Sequence, residues 1–362
     1  MLNVDEVNCM ALKRFIDITD FTREELRETL NQLAFIKDNK SIYANELKGK
    51  TIVNAFFEAN PFVESAYHNT ASRAGGTAIP FHHTSGVSLK DEVMQMSALG
   101  DAIVLSHPKK GAARAASLYS TIPVINAGEG GRAYPVQTLA DLASVWLEKK
   151  HVSNMKVGFL GDFTDNAFSR CLLQCLNLYN GNEFYFISVN GKPLSQAYVS
   201  LMDKRDKPFE VFDNLFDILP KLDILYVTKV DKSNFENEIM FESRKHNFVL
   251  DERMLMVAKP DLMIMHPFPR GVELDFSVDT DPRAKYFKLL NYFNDACLIS
   301  IIKTVSNKPG RFIEPCFEEA THEAFCGRED CITSEEAYLP PLFHETSEGK
   351  LICKYCMQEI KE

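Results

Sequence analysis

The sequence predicts two successive open parallel-sheet α/β domains followed by a small C-terminal zinc-binding β domain, and three observations carry this. Short apolar runs alternate with segments of helical period in two sets of four. The alternation breaks once, near residues 149–154. Four of the nine cysteines, Cys326, Cys331, Cys353 and Cys356, crowd into residues 326–362.

In the first set, residues 51–57, 77–81, 102–106 and 123–127 read as buried parallel strands, and in the second, 156–161, 183–189, 223–227 and 262–266. Helical period marks 137–148 and 167–178. Ahead of them, Thr22 and Glu25 form a capping box that opens an amphipathic helix running to about Ile36. A closing helix spans residues 286–305, and Ser306, Asn307, Lys308, Pro309 and Gly310 end it. The chain thus divides into a first domain over 1–150, on which the closing helix packs back, and a second over 151–305. A linker over 306–319 and a zinc domain over 320–362 follow.

With 362 residues, 45% apolar and 25% charged, the chain can bury more than one core. A net charge of −10 and a pI near 5.5 leave no general basic field, which disfavours nucleic acid and anionic membranes as partners. The N-terminus lacks the apolar centre of a signal peptide, and no run approaches the ~18 apolar residues of a membrane span, so a cytoplasmic location is expected. In a reducing cytosol, clustered cysteines favour metal over disulfides. Cys326-x4-Cys331, 21 residues, then Cys353-x2-Cys356 suits one closed tetrahedral Zn2+ site, structural because four thiolates leave no open position. His344 and Cys316 are lesser candidates as ligands. Cys9, Cys171, Cys175, Cys297 and Cys316 read as core thiols.

Residues 53–76, VNAFFEANPFVESAYHNTASRAGG, have the strand, turn and helix start of a phosphate-binding loop. A dianion at a helix N-terminus needs backbone N–H donors, hydroxyls and guanidinium groups. This turn offers Asn60, Pro61, Phe62, Val63 and Glu64 instead. Pro61 removes a donor, Phe62 and Val63 exclude an anion, and Glu64 repels one.

The motifs FFEANPFVES (56–65), HPKKGAAR (107–114), PVINAGEG (123–130), PVQT (135–138), GD (161–162), LYVTK (225–229) and HPFPR (266–270) stand in collinear order. Together they resemble the catalytic chain of aspartate carbamoyltransferase, in the aspartate/ornithine carbamoyltransferase family. The resemblance covers about residues 10 to 305 and implies a carbamoyl-phosphate domain, an aspartate domain, a trimer with shared active sites, and a place in pyrimidine biosynthesis. Residues 325–362, with Cys353, Lys354, Tyr355 and Cys356, are similar to the zinc domain of the regulatory chain, which in that family docks regulatory onto catalytic chains. The regulatory chain's nucleotide-binding domain has no counterpart, so feedback by a nucleotide is not implied.

Carried over position by position, the resemblance implies mostly losses. Asn60, Pro61, Phe62 and Val63 stand where the family has Ser-Thr-Arg-Thr for the phosphate, and Ser106 replaces the arginine before His-Pro. Tyr134 replaces the histidine that would polarise the carbamoyl carbonyl, and Ala167 the arginine that would hold the aspartate carboxylate. Lys229 and Asp231 replace the arginine and glutamine of Thr-Arg-x-Gln. The loop that would send a lysine into a neighbour's site is cut to residues 82–88, without a lysine. Gln137 and the turn at Pro267, Phe268 and Pro269 survive, and their contacts would be with the neutral carbamoyl end.

Removing one preorganised donor from a developing-anion site costs ~2.7–4 kcal/mol of barrier, and several are missing. The expected function is therefore a non-catalytic structural or regulatory subunit of a transcarbamylase assembly, with no catalytic residues assigned. The alternative is an active carbamoyltransferase of altered specificity, using a less anionic carbamoyl donor or an acceptor bound through Arg132, Arg170 and Lys229. Arg132 and Arg170 read as solvated surface arginines, His82 and His83 as exposed loop residues, and Arg73 and Arg114 as structural ion-pair partners. Expected partners are further copies in a homotrimer and a separate active catalytic chain, on whose trimer the fused zinc domain would be free to dock. Nucleic-acid binding by that domain is opposed by Glu329, Asp330, Glu335, Glu336, Glu345, Glu348, Glu359 and Glu362.

Overall fold

The structure, a computed structural model, describes residues 14–203, 209–305, 324–345 and 349–360. Its elements begin with β1 (Arg14–Phe15), α1 (Arg23–Asp38), β2 (Thr51–Phe56), α2 (Pro61–Arg73), β3 (Thr77–Phe81), α3 (Leu89–Leu99), β4 (Ala102–His107), α4 (Ala112–Tyr119), β5 (Val124–Glu129) and α5 (Pro135–Lys149). They continue with β6 (Lys156–Gly161), α6 (Ala167–Leu176), β7 (Glu183–Ser188), α7 (Gln196–Asp203), β8 (Phe209–Phe212), α8 (Leu215–Ile218), β9 (Ile224–Val227), α9 (Glu238–Phe248), β10 (Met263–Met265), α10 (Tyr286–Val305), β11 (Phe343–Glu345) and β12 (Leu351–Cys353). Two compact units result, one from residues 1–136 with 294–362, the other from 137–293, so the division falls inside α5 and α10. The proposed linker at 306–319, Cys9 and Cys316 lie outside the described residues.

The first unit holds an all-parallel sheet in the order β1-β5-β4-β2-β3. Its middle strands are apolar on both faces because helices cover both, with Ile52, Val53, Ala55, Ile103, Val104, Leu105, Val124 and Ile125 buried. Thr22 and Glu25 make the expected reciprocal cap on α1. Phe56 pairs with Ser106 and Ser106 with Gly128, so the C-terminal ends of β2, β4 and β5 lie side by side. That edge of an open α/β sheet is where ligands bind. From Asn294 onward α10 belongs to this unit: Asp295 meets Lys40 at 3.2 Å and Ser300 meets the Tyr67 hydroxyl at 3.4 Å.

The second unit holds a parallel sheet in the order β10-β9-β6-β7-β8. Aromatic side chains fill its core: Phe159 stacks on Phe186 at 5.6 Å and meets Tyr226 edge-on at 6.0 Å. Gly158 admits the Leu222 side chain so closely that a Cβ there would lie 2.4 Å from its Cδ1. All eight expected strands are present, within one or two residues of the expected limits at each end. The two unforeseen strands, β1 and β8, are sheet edges, the one only two residues long and the other not buried.

Residues 324–345 and 349–360 carry a small antiparallel pair, β11 with β12, and the four C-terminal cysteines. No described helix is long and apolar enough to cross a membrane.

Candidate functional site

At the end of β2, Asn60 caps α2, and its side-chain oxygen accepts the Val63 N–H at 3.4 Å. Pro61 has no N–H to give, and the Glu64 N–H goes to the Asn60 carbonyl at 3.0 Å. Of the donors that would meet an anion at this helix start, the Val63 and Glu64 N–H groups are thus turned onto Asn60 itself. Phe62 is 47% exposed on the first turn, beside Glu64. Across the sheet edge, Ser106 is buried, and the Tyr134 ring lies over Gly128, where a Cβ would sit 3.0 Å from Cε1. The structure therefore brings Ser106, Gly128 and Tyr134 together.

The arginine of the turn after β5 is engaged within the chain. Arg132 is buried and donates through Nη1 to Glu129 and through Nη2 to Asp17 at 3.3 Å. Glu129 also accepts the Ala113 N–H at 2.9 Å. Burial holds the His107 imidazole down at about 4, so it is neutral at pH 7, and its Nδ1 accepts the Lys109 N–H at 3.0 Å. Phe57 sits between His83 and His107, each 4.8 Å from its ring centre. His83 in turn lies 3.0 Å from the buried Glu92, which also accepts the Thr84 N–H at 2.8 Å, tying the 82–88 loop back onto α3.

In the second unit, Ala167 is the first residue of α6, capped by Asn166, whose amide also donates to Thr228 at 2.7 Å. Lys229 pairs with Asp231 at 3.1 Å, and Arg170 with Asp165 at 3.4 Å. Arg270 makes a two-pronged pair with Asp279, at 2.6 and 2.8 Å, and its guanidinium lies 4.2 Å from the centre of the Phe276 ring. Phe268 and Pro269 are joined by a cis peptide beside the fully buried pair of His266 and Glu273, 2.8 Å apart. Gln137 donates to Asp141 at 2.9 Å, and the Tyr226 hydroxyl donates to the same carboxyl group at 2.6 Å. Burial pushes Asp141 up to about 7.

The sulfurs of Cys326, Cys331, Cys353 and Cys356 are buried and lie within 4.8 Å of one another. The closer pairs are Cys326 with Cys356 at 3.6 Å and Cys331 with Cys353 at 4.0 Å. A disulfide needs ~2.0 Å. A tetrahedron of sulfurs ~2.3 Å from a central ion has edges of ~3.8 Å, which these distances match, so the four thiols suit a metal ion. Gly327 and Met357, each just after a cysteine, take the left-handed backbone that tight turns around such a site require.

Residues 13–146 match the family model described as the carbamoyl-P binding domain of aspartate/ornithine carbamoyltransferase, and residues 153–292 the one for its Asp/Orn binding domain. The aspartate carbamoyltransferase catalytic subunit of Finegoldia magna is 33% identical over 286 residues, which cover 77% of this chain and 94% of that one. That of Clostridium novyi is 35% identical, over 76% of this chain and 92% of its own. The chain belongs to the aspartate/ornithine carbamoyltransferase family. Among solved structures, the catalytic subunit of M. jannaschii aspartate transcarbamoylase superposes with a TM-score of 0.77 at 30% identity, covering 81% of this chain and 98% of that one. The cysteine segment lies beyond both family matches.

Within this carbamoyltransferase-type chain, several expectations need correcting. Arg132 is not a solvated arginine; its side chain is buried against Glu129 and Asp17, as the short turn after β5 folds it inward. Arg170 is half-buried and held by Asp165. Arg114 shows no ion pair among the described residues: its Nε is buried without a hydrogen bond, and burial together with nearby Arg132 and Arg14 lowers its affinity for a proton. The C-terminal cysteine segment, expected to be free to dock elsewhere, is not free to do so through its inner face, because that face already packs on the first unit of its own chain. Two of the eight acidic residues read as opposing phosphate meet lysines there: Glu335 pairs with Lys109 at 2.9 Å and Asp330 with Lys110 at 3.1 Å. The complementarity of Lys109 and Lys110 with Glu329, Asp330, Glu335 and Glu336 was visible in the sequence and is the signal that could have located this contact. His344 is exposed, outside the cysteine cluster.

Proposed function

We propose that this aspartate carbamoyltransferase-like chain is a non-catalytic structural or regulatory subunit of a pyrimidine-pathway transcarbamylase assembly, trimeric and carrying one structural Zn2+. One observation carries the reading: Arg132, Arg170 and Lys229, the cations offered as substitutes for the family's missing ones, each pair with a carboxylate of their own chain. A phosphate dianion and a dicarboxylate would have to compete with Glu129, Asp165 and Asp231 for them. The Val63 and Glu64 N–H groups at the start of α2 also go to Asn60. Preorganised positive charge is the main resource of such a site, and these three cations are already paired.

Cys326, Cys331, Cys353 and Cys356 would hold the Zn2+, which would cross-link the segment without offering a position to a substrate. The partners that fit this role are two further copies of the chain and a separate active catalytic chain.

The purified chain, made in a host deleted for its own transcarbamylase, should form no carbamoyl-aspartate above background. Saturable activity that disappears with Gln137→Ala would replace this reading by an active enzyme of altered specificity. That second reading draws on the relatives, which are catalytic subunits, and on the retained Gln137. Light scattering of the chain alone, then mixed with an active catalytic chain, tests assembly; a stable monomer would remove the trimer from the proposal.

A further inference from the structure

The C-terminal segment does not have a core of its own. Cys326, Cys331, Ile332, Leu339, Leu342, Cys353, Tyr355 and Cys356 share one apolar cluster with Leu89, Val93 and Met96 of α3 and with Ala112, Ala113, Ala115 and Ala116 of α4. Tyr355 packs on Gly111 so closely that a Cβ at Gly111 would lie 2.5 Å from its Cβ. The apolar face of α3 and α4 therefore has an occupant built into the chain.

The polar contacts of this interface fall on the two segments that end beside the candidate site. Leu89, at the start of α3 and just after the 82–88 loop, donates its N–H to the Glu336 carboxylate at 2.8 Å. Lys90 donates its N–H to the Tyr338 hydroxyl at 2.8 Å, and Tyr338 meets the Tyr119 ring edge-on at 5.6 Å. A carboxylate on the first turn of a helix is where the helix dipole favours one. At the end of β4, Lys110 bridges to Cys331 in parallel: its N–H donates to the Asp330 carbonyl at 2.8 Å, and its carbonyl accepts the Ile332 N–H at 2.9 Å. Lys109 adds a bond from Nζ to the Glu329 carbonyl at 2.7 Å. So a metal ligand, Cys331, lies in the stretch of backbone that holds the loop following Ser106 and His107.

We infer that residues 324–360 act as a metal-dependent latch on their own chain, fixing the 82–90 and 106–111 segments that border the phosphate half of the site. This rests on the proposed metal occupancy of the cysteine cluster. With the ion present, the four-cysteine loop presents Asp330, Ile332, Glu336 and Tyr338 as one rigid set. Loss of the ion removes what orders that loop, since such sites order with metal bound, and the two bordering segments lose partners for the Leu89, Lys90 and Lys110 N–H groups.

Hydrogen exchange read by mass spectrometry on the full chain tests this, with zinc content measured on the same sample. On chelation, peptides over 86–92 and 106–112 should exchange at least tenfold faster, while a peptide over 51–56 in the central strand β2 stays protected. Unchanged exchange in both border peptides from a zinc-loaded sample would overturn the latch and leave the metal assignment standing. A purified, folded chain with no zinc would overturn both. Should chelation also expose the β2 peptide, the Glu336→Ala, Tyr338→Phe variant decides: zinc content unchanged with faster exchange over 86–92 supports the latch, and unchanged exchange rejects it.

Discussion

Arg132 and Glu129, three residues apart in the turn after β5, form a buried ion pair whose side chains are 3% and 1% exposed. The pair is anchored on both sides, by Asp17 on the arginine and by the Ala113 N–H on the carboxylate. An arginine held this way orders the turn that carries Tyr134. It is not available to a mobile ligand without leaving Glu129 buried and uncompensated.

Replacing Arg132 by Met should therefore cost stability before it changes any binding. Breaking a buried pair by removing one partner typically costs ~3–5 kcal/mol. Burial already raises the affinity of Glu129 for a proton, and without Arg132 it rises further, so the loss should be larger at pH 8 than at pH 5. Adding Glu129→Gln should recover part of it. Urea denaturation of the three proteins at both pH values checks this, and a single variant as stable as the parent would show that the pair is not structural.

Much of the fold was legible because parallel strands covered on both faces read as continuous apolar runs, as at Ile103, Val104 and Leu105. The cysteine site was legible because its spacing reflects ligand geometry. Partners set by tertiary structure were not: nothing local marks Asp17 as the neighbour of Arg132 or Tyr226 as the neighbour of Asp141. That Asn60, Ser106 and Ala167 stand at these sheet ends and helix starts could be read in the sequence. That Asn60 turns the Val63 N–H onto itself could not, because a cap bond depends on backbone angles.

Asp141 should make stability fall as pH rises. Burial raises its carboxyl from the usual 3.8 to about 7, so the folded state binds a proton that the unfolded chain releases. The contribution is fully present below about pH 3.8 and is lost as pH rises through about 7, with a slope of up to ~1.4 kcal/mol per pH unit between them. Asp141→Asn keeps one acceptor for the Tyr226 hydroxyl and abolishes the titration. The stability difference between variant and parent should thus shift in favour of the variant from pH 5 to pH 7. A difference that stays constant over that interval would reject the raised value.

Cys331→Ser should discharge the metal, whereas Cys171→Ser should not. Both thiols are buried, but only Cys331 belongs to the four-sulfur cluster; Cys171 lies on α6 in the other unit. Elemental analysis should find about one zinc per chain in the parent and in Cys171→Ser, and less than half of that in Cys331→Ser. Equal zinc in all three would remove Cys331 from the ligand set.

Gly111→Ala should separate left-handed strain from close approach. Gly111 and Gly86 have nearly the same backbone, with φ of +87° and +82°, so an alanine at either pays the left-handed cost of roughly 1–2 kcal/mol. Around Gly86 nothing lies within 4 Å of an added Cβ. At Gly111 the added Cβ meets Tyr355 at Cβ, C and Cα, 2.5 to 2.8 Å away, and two of these are backbone atoms that cannot swing aside. Gly111→Ala should then lift the C-terminal segment off α4 and raise its sensitivity to protease, with a stability loss exceeding that of Gly86→Ala by about 2 kcal/mol or more, the range of overpacking in a tight core. Thermal melts and limited proteolysis of the two variants decide it. Equal losses, with the segment equally protected in both, would mean that Tyr355 is not seated against Gly111 in solution.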